Sequence, residues 1–348
     1  MSLPTETETT PDTSVIAQLL NWHKAGHGVA LATVVRTWGS SPCPVGSHLA
    51  IRDDGAFEGS VSGGCIEGEV VTEALAAIRG NTFKRLEFGV ANEDAWRVGL
   101  ACGGKVAVFV TSVSDDTLVV LAAMQDARRT GRQMALLTDP QSGAHALSME
   151  GNIEKGGLQP TAAQNEELLA RLRTDRSGII GEQSDSPIFA RIYNPQLRLL
   201  IIGAVHIAQA LAEMAQRTGY DVTVIDPRDT WGTAERFPGI KLDRRWPSTA
   251  LEDLAPDNRT AIVTLSHDPK LDDPALFSAF ETPAFYIGSL GSRKTHTARL
   301  KRLTKAGISE QQLARIHAPV GLDIGAQNPA EIALSALAQI TAALRKPT

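Results

Sequence analysis

Apolar positions change their spacing along the chain, and the spacing names the elements. Residues 15–22 repeat at the helical interval, and the β-branched run 29–37 predicts a strand entering the Gly/Pro-rich loop GSSPCPVG, residues 39–46. HLAIRDDGAFEGSV carries two short strands about Asp53, Asp54 and Gly55, a hairpin signal. In IEGEVVTEALAAIRG the residues Ile66, Val70, Ala74 and Ile78 share one helical face, with Gly80 as the expected stop. Strands at 83–88 and 105–110, a helix at 117–129, a strand at 134–139 and a helix at 162–174 continue the series. The first region therefore reads as α/β or α+β.

From Leu197 onward the pattern becomes strand LRLLIIGA, helix IAQALAEMAQRTG, strand DVTVIDP, then strands in AIVTLSHD and AFYIGSLG with helices between. That alternation predicts a doubly wound parallel sheet. Ligands of such sheets lie outside the carboxyl ends of the strands, so the loops after Ile202, Ile225, Leu265 and Ile287 are expected to face one crevice. Residues 182–187 and the Asn194-Pro195 dipeptide mark a boundary. The expected fold class is α/β: a disordered tail at 1–14, an N-terminal α/β domain at 15–194, and a C-terminal Rossmann-like doubly wound parallel-sheet domain at 195–348.

A length of 348 residues suits two domains, since single cores rarely grow past roughly 250–300 residues. With 43% hydrophobic and 21% charged residues the composition is that of a globular protein. A net charge of −5 without a dense basic run argues against nucleic acid or an anionic membrane as partner. No uninterrupted apolar stretch has the length of a membrane span, and the polar, acidic start MSLPTETETTPDT resembles no secretory signal, so a cytoplasmic location is expected. Three cysteines cannot form a disulfide framework, and Cys43, Cys65 and Cys102 read as reduced thiols.

Two of those thiols touch glycine pairs. SGGCIEGEV sets Cys65 after Gly63 and Gly64 near a helix start, with Ser62 as a cap; free amides and the helix dipole there favour an anion and lower a thiol's pKa. GLACGGKVAVFV sets Cys102 before Gly103 and Gly104 at a strand entrance. If the two loops meet, Cys65 and Cys102 offer soft sulfur ligands to a metal in one pocket. The plainer reading keeps each as a small apolar residue beside a turn. The wide spacing and the lack of a nearby histidine cluster argue against a structural zinc site. In GSSPCPVG, Ser41 lies in a preformed binding loop, whereas Cys43, between prolines, reads as a lining or bystander residue.

The second domain opens with GAVHIA, which matches the GxGxxG/A fingerprint at Gly203 but has Val205 where a glycine admits a pyrophosphate. His206 starts the helix, and Asp226, about 20 residues on, stands where an acid meets a ribose hydroxyl. GSLGSRK, from Gly288 to Lys294, is the better phosphate cradle, with Ser292 capping and Arg293 forking onto the ligand. His267 is a secondary crevice residue, in an Asp-Pro turn that needs no ligand to explain it.

In this order GSSPCPVG, GSVSGGCIEGEV, GLACGGKVAVFV, GAVHIAQAL, TLSHDPKLDDPAL, IGSLGSRK and APVGLDIGAQNPAEIALSALAQI resemble the XdhC/CoxI family of xanthine dehydrogenase accessory proteins. The resemblance spans nearly the whole chain. It implies a protein that binds molybdenum cofactor, as molybdopterin or its cytosine dinucleotide form, and protects it. It implies further that a cysteine desulfurase helps to sulfurate that cofactor before delivery to an apo molybdenum hydroxylase. Cys65 and Cys102 correspond to the family's Gly-Gly-Cys and Cys-Gly-Gly elements. The chain departs from the family at Val205, where glycine is usual, and at Cys43, where a basic residue is frequent.

The leading expectation is a non-catalytic cofactor-binding chaperone, with a homodimer as the default assembly. An NAD(P)-dependent oxidoreductase using the second domain is the enzyme alternative, against which Val205 speaks. A protein-interaction scaffold with no small-molecule site is the third.

Overall fold

The computed structural model describes residues 11–89 and 104–346, and the chain divides into two compact units, Met1–Asn194 and Pro195–Thr348. In the first unit α1 (Pro11–Lys24) starts four residues before the apolar spacing predicts, with proline at a helix start where its missing N–H is no loss. β1 (Val29–Trp38), β2 (His48–Arg52), β3 (Phe57–Gly59), α2 (Glu67–Gly80), β4 (Phe83–Phe88) and β5 (Lys105–Ser112) follow. The strands pair antiparallel in the order β3-β2-β1-β5-β4.

Central β1 shows why this sheet forms. Its alternate residues leave opposite faces: Ala30, Ala32 and Val34 pack with Val70, Ala74 and Ala77 of α2, whereas Val29 and Leu31 pack with Val15, Ile16 and Leu19 of α1. The register against β5 shifts between Val34 and Arg36, a bulge just before the GSSPCPVG loop. Gly80 does not make the left-handed stop expected of it; Asn81 does, at φ 47°, its N–H closing onto the carbonyls of Ala77 and Ile78. Asparagine is the usual substitute for glycine in that conformation.

The rest of the unit comprises α3 (Asp115–Ala127), β6 (Met134–Thr138), β7 (His145–Met149), β8 (Asn152–Gly156), α4 (Ala162–Thr174), β9 (Gly178–Ile180) and β10 (Ile188–Tyr193). A second antiparallel sheet runs β8-β7-β6-β10-β9, which makes the unit α+β. Sequence spacing predicts β6 alone of these five strands. His145 and Ser148 are buried in β7 and break its apolar run, β8 is a largely exposed polar edge, and β9 is three residues long. Residues 182–187 are the turn joining β9 to β10 within the unit, so they mark no boundary.

The second unit contains β11 (Arg198–Ile202), α5 (His206–Arg217), β12 (Asp221–Ile225), β13 (Lys241–Asp243), α6 (Pro247–Leu254), β14 (Thr260–Thr264), α7 (Pro269–Phe280), β15 (Tyr286–Ser289), α8 (Arg293–Lys305), α9 (Glu310–Leu313), β16 (Ile316–His317) and α10 (Pro329–Arg345). Its six strands are parallel in the order β13-β12-β11-β14-β15-β16, the doubly wound arrangement expected. Leu199 and Ile201 pack with Ala208 and Leu211 of α5 and Ala336 and Ile340 of α10; Leu200 and Ile202 pack with Leu251 of α6, Leu276 of α7 and Leu303 of α8. Strand order reverses between β11 and β14, so the loops after these two strands flank the switch point where ligands of such sheets bind. Among the described residues no helix is long and apolar enough to cross a membrane.

Ile201 is fully buried at the centre of this sheet. Ile201→Ala should lower unfolding stability by about 2–5 kcal/mol, read as a drop in the urea midpoint with unchanged slope. A change below about 1 kcal/mol would mean the site collapses around the cavity.

Candidate functional site

In the first unit the turn between β3 and α2 is organised by one carboxylate. Glu67, 6% exposed, accepts the backbone N–H groups of Val61 (3.1 Å), Ser62 (2.9 Å), Gly64 (3.0 Å) and Ile66 (3.2 Å). It also accepts the hydroxyls of Ser60 (2.7 Å) and Ser62 (2.5 Å). Burial alone would raise its pKa, but the hydrogen bonds from Ser62, Ser60 and the backbone outweigh it and bring it down to about 2.

The remaining amides of the turn are also taken. Gly63 N–H donates to Ser60 Oγ (2.9 Å), and Cys65 and Ile66 N–H both donate to Ser62 Oγ (3.0 Å each). Ser62 thus caps the turn and not α2 itself, whose N-cap position is Ile66 with no side-chain bond. The expectation that these amides await an external anion is corrected: the protein's own Glu67 occupies the nest. What the turn leaves outward is a thiol. Cys65 is exposed, and Gly64, at φ 114°, has nothing within 4 Å of the point a Cβ would occupy.

The other glycine motifs border this turn. Ser41 Oγ donates to the carbonyl of Cys43 (2.8 Å), holding the GSSPCPVG loop, and Cys43 Sγ donates to Ser60 Oγ (3.5 Å). Pro42 lies 3.4 Å from the Cβ position of Gly63. Gly104 abuts the same loop, since a Cβ there would stand 2.1 Å from the carbonyl oxygen of Ser40. Ser41, Gly63, Gly64, Cys65 and Gly104 therefore belong to one cluster of loops. Cys102 and Gly103 lie outside the described residues. Among the described residues no group of three or more His, Cys, Asp or Glu side chains is placed to hold a metal ion.

In the second unit the fingerprint turn is closed by another carboxylate. Gly203, at φ 101°, is required by close approach, for a Cβ would meet the backbone nitrogen of Ser266 at 2.8 Å. Asp226 accepts Ala204 N–H (2.7 Å), Arg228 N–H (3.0 Å) and two nitrogens of the Arg228 guanidinium (2.8 and 2.7 Å), with its side chain 0% exposed. Burial works to raise its pKa, but Arg228 and the amides hold it below the ordinary range. Asp226 is thus a latch between β11 and β12, with both oxygens accepting from Ala204 or Arg228.

The remaining crevice residues differ in what they offer. His206 is the exposed first residue of α5, behind half-buried Val205. His267 is exposed and held at φ 61°, between Ser266, whose hydroxyl donates to Asp272 (2.6 Å), and Asp268, which caps α7 through Lys270 N–H (2.9 Å). Gly288 is buried in β15, where a Cβ would meet the Tyr286 ring at 2.7 Å and Val320 at 2.8 Å, so packing and not ligand contact demands it. Ser292 caps α8 through Thr295 N–H (3.2 Å), and Arg293 is exposed at its first position. Sequence reasoning missed Glu67. The available signal was an acid shortly after a Ser-Gly-Gly turn whose amides need an acceptor.

Comparison with known proteins finds the XdhC and CoxI family over residues 22–89 and the XdhC Rossmann domain over residues 199–340, together more than half of the chain. The molybdenum cofactor insertion chaperone PaoD of Escherichia coli is 28% identical over 91% of this chain and 83% of its own. A probable xanthine dehydrogenase component of Bacillus subtilis is 27% identical over 89% of this chain and 91% of its own. A crystal structure described as a xanthine dehydrogenase from Bacillus halodurans shares the fold, with TM-score 0.66, 24% identity and 96% of each chain covered.

Glu67→Gln should cost about 3 kcal/mol, because an amide nitrogen would face the donors that the carboxylate accepts. Since the carboxylate's pKa falls from 4.5 to about 2 on folding, its contribution is complete above pH 4.5 and lost as pH falls toward 2. Acid titration of the melting temperature should be steeper for the wild type than for the variant in that window. Gly203→Ala should destabilise by about 2–4 kcal/mol through the clash with Ser266 and the positive φ; a melting temperature within a degree of wild type would contradict that.

Proposed function

The chain belongs to the XdhC and CoxI family, and from that premise we propose that it is a maturation protein carrying molybdenum cofactor as cargo for a xanthine dehydrogenase-type hydroxylase. The observation that supports this most directly is the exposed Cys65 thiol on a turn made rigid by Glu67. A soft sulfur suits a metal bound through sulfur, and the turn is formed before any cargo arrives. Gly64 beside it leaves room for a bulky planar ligand to approach the backbone.

On this reading the GSSPCPVG loop lines the thiol site, and Cys102, two positions before Gly104 in sequence, supplies a second sulfur. The chain shelters the cofactor, supports its sulfuration with a cysteine desulfurase, and delivers it to the apo-hydroxylase. Its contribution is binding and ordered release rather than turnover. The oxidoreductase alternative loses support in the second unit, where Asp226 is sealed by Arg228 and Val205 occupies the pyrophosphate approach.

Molybdenum retained after desalting a mixture of purified chain and molybdenum cofactor tests the proposal. Wild type should retain it, and Cys65→Ala should weaken retention about tenfold or more, equivalent to about 1.4 kcal/mol, with an unchanged circular dichroism spectrum. Wild-type protein that retains no molybdenum would sink the reading, and full retention by Cys65→Ala would remove the thiol from it.

A further inference from the structure

The turn that leads into α8 is built unlike the turn that leads into α2. At α2 every amide from Val61 to Ile66 has an acceptor within the protein. At α8 the amides of Gly291, Ser292, Arg293 and Lys294 donate to no acceptor among the described residues, while Leu290 N–H is spent on Thr264 and Thr295 N–H on Ser292. Four open donors at the start of a 13-residue helix favour an anion there.

A buried cation lies under the same turn. Arg299, 2% exposed, donates one guanidinium nitrogen to the carbonyl of Leu290 (2.7 Å), so its side chain reaches back toward the helix start. That nitrogen is 3.6 Å from the Cβ position of Gly291, a point that the Thr295 side chain approaches to 3.0 Å, so guanidinium, Thr295 and turn are packed together. The other two nitrogens, Nε and Nη1, are buried without a partner, as is Nδ1 of His296 one turn nearer the helix start. The nearby acids act on Arg299 only through space: Asp272 takes the hydroxyl of Ser266, and Asp273 is held in a fork by Arg302. A guanidinium with two buried donors that no protein group accepts favours an anion beside it.

We propose that residues 291–294, with Arg299 beneath them, form a phosphate subsite. The four amides and the exposed Arg293 take the oxygens of a phosphate monoester or diphosphate, and Arg299 supplies the buried positive charge. Because Asp226 is sealed, β12 offers no carboxylate to a ribose diol, and recognition in this unit is of phosphate rather than sugar. The assignment of that phosphate to a phosphorylated pterin or its nucleotide form rests on the proposed function; the subsite itself does not.

Inorganic pyrophosphate titrated calorimetrically into the metal-free full chain should bind saturably. Arg299→Met should weaken binding about tenfold or more. Arg293→Pro, which suits a first helical position but lacks the N–H, should bind more weakly than Arg293→Ala, isolating the backbone donor. Cytidine diphosphate binding more tightly than pyrophosphate would assign the subsite to a nucleotide, and equal affinity to the phosphate end alone. The inference is overturned by absence of saturable wild-type binding, or by Arg299→Met binding as wild type does; should that variant fail to fold, equal affinity of Arg293→Pro and Arg293→Ala overturns it instead. Molybdenum retention measured on the same variants separates the two ideas: pyrophosphate binding without retention defeats the cargo reading only, and retention without pyrophosphate binding defeats the subsite only.

Discussion

A buried carboxylate accepting the amides of a glycine turn is the constraint on which the thiol region depends. Glu67 gathers four backbone N–H groups and two hydroxyls, and a chain reversal with two consecutive positive-φ glycines would otherwise have little to hold it in one conformation. The same device recurs in the second unit, where Asp226 ties the Ala204 amide to Arg228. In both places an acid that a motif search would assign to a ligand or to solvent belongs to the scaffold.

This explains a division of labour between helix starts. Where an internal acid fills the amide nest, as at α2, the turn presents a side chain, Cys65, instead of receiving an anion. Where no acid fills it, as at α8, the turn retains its positive end. Glycine followed by a helix is thus two different structures, and the deciding residue is the acceptor a few positions away.

Much of this architecture was legible from periodicity. The parallel sheet of the second unit follows from apolar runs such as LRLLII and DVTVI, which are buried on both faces and leave little choice but a central strand. Helix α4 matches its expected bounds, with a Thr161–Gln164 capping box at its start and Asp175, left-handed at φ 58°, at its end. Strands β7 and β8 were not legible, since buried polar residues in β7 and an exposed edge at β8 erase the alternation that marks a strand, and β9 is only three residues long. The cluster of loops around Cys65 was visible as motifs, but its organiser was not, because hydrogen bonds from backbone to Glu67 leave no periodic trace. The partners of Asp226 were hidden for a related reason: spacing places the residue, whereas the neighbouring Arg228 decides which way its oxygens are used.

The contact between Gly104 and the carbonyl of Ser40 reaches beyond stability. With backbone against backbone, no side chain at position 104 can be accommodated by a rotamer change, so the GSSPCPVG loop keeps its place against the entrance to β5 only with glycine there. Grafting the thiol turn onto another scaffold, or exchanging it between relatives, therefore requires three separate stretches, 38–46, 60–67 and the glycine at 104, to be transplanted as one block.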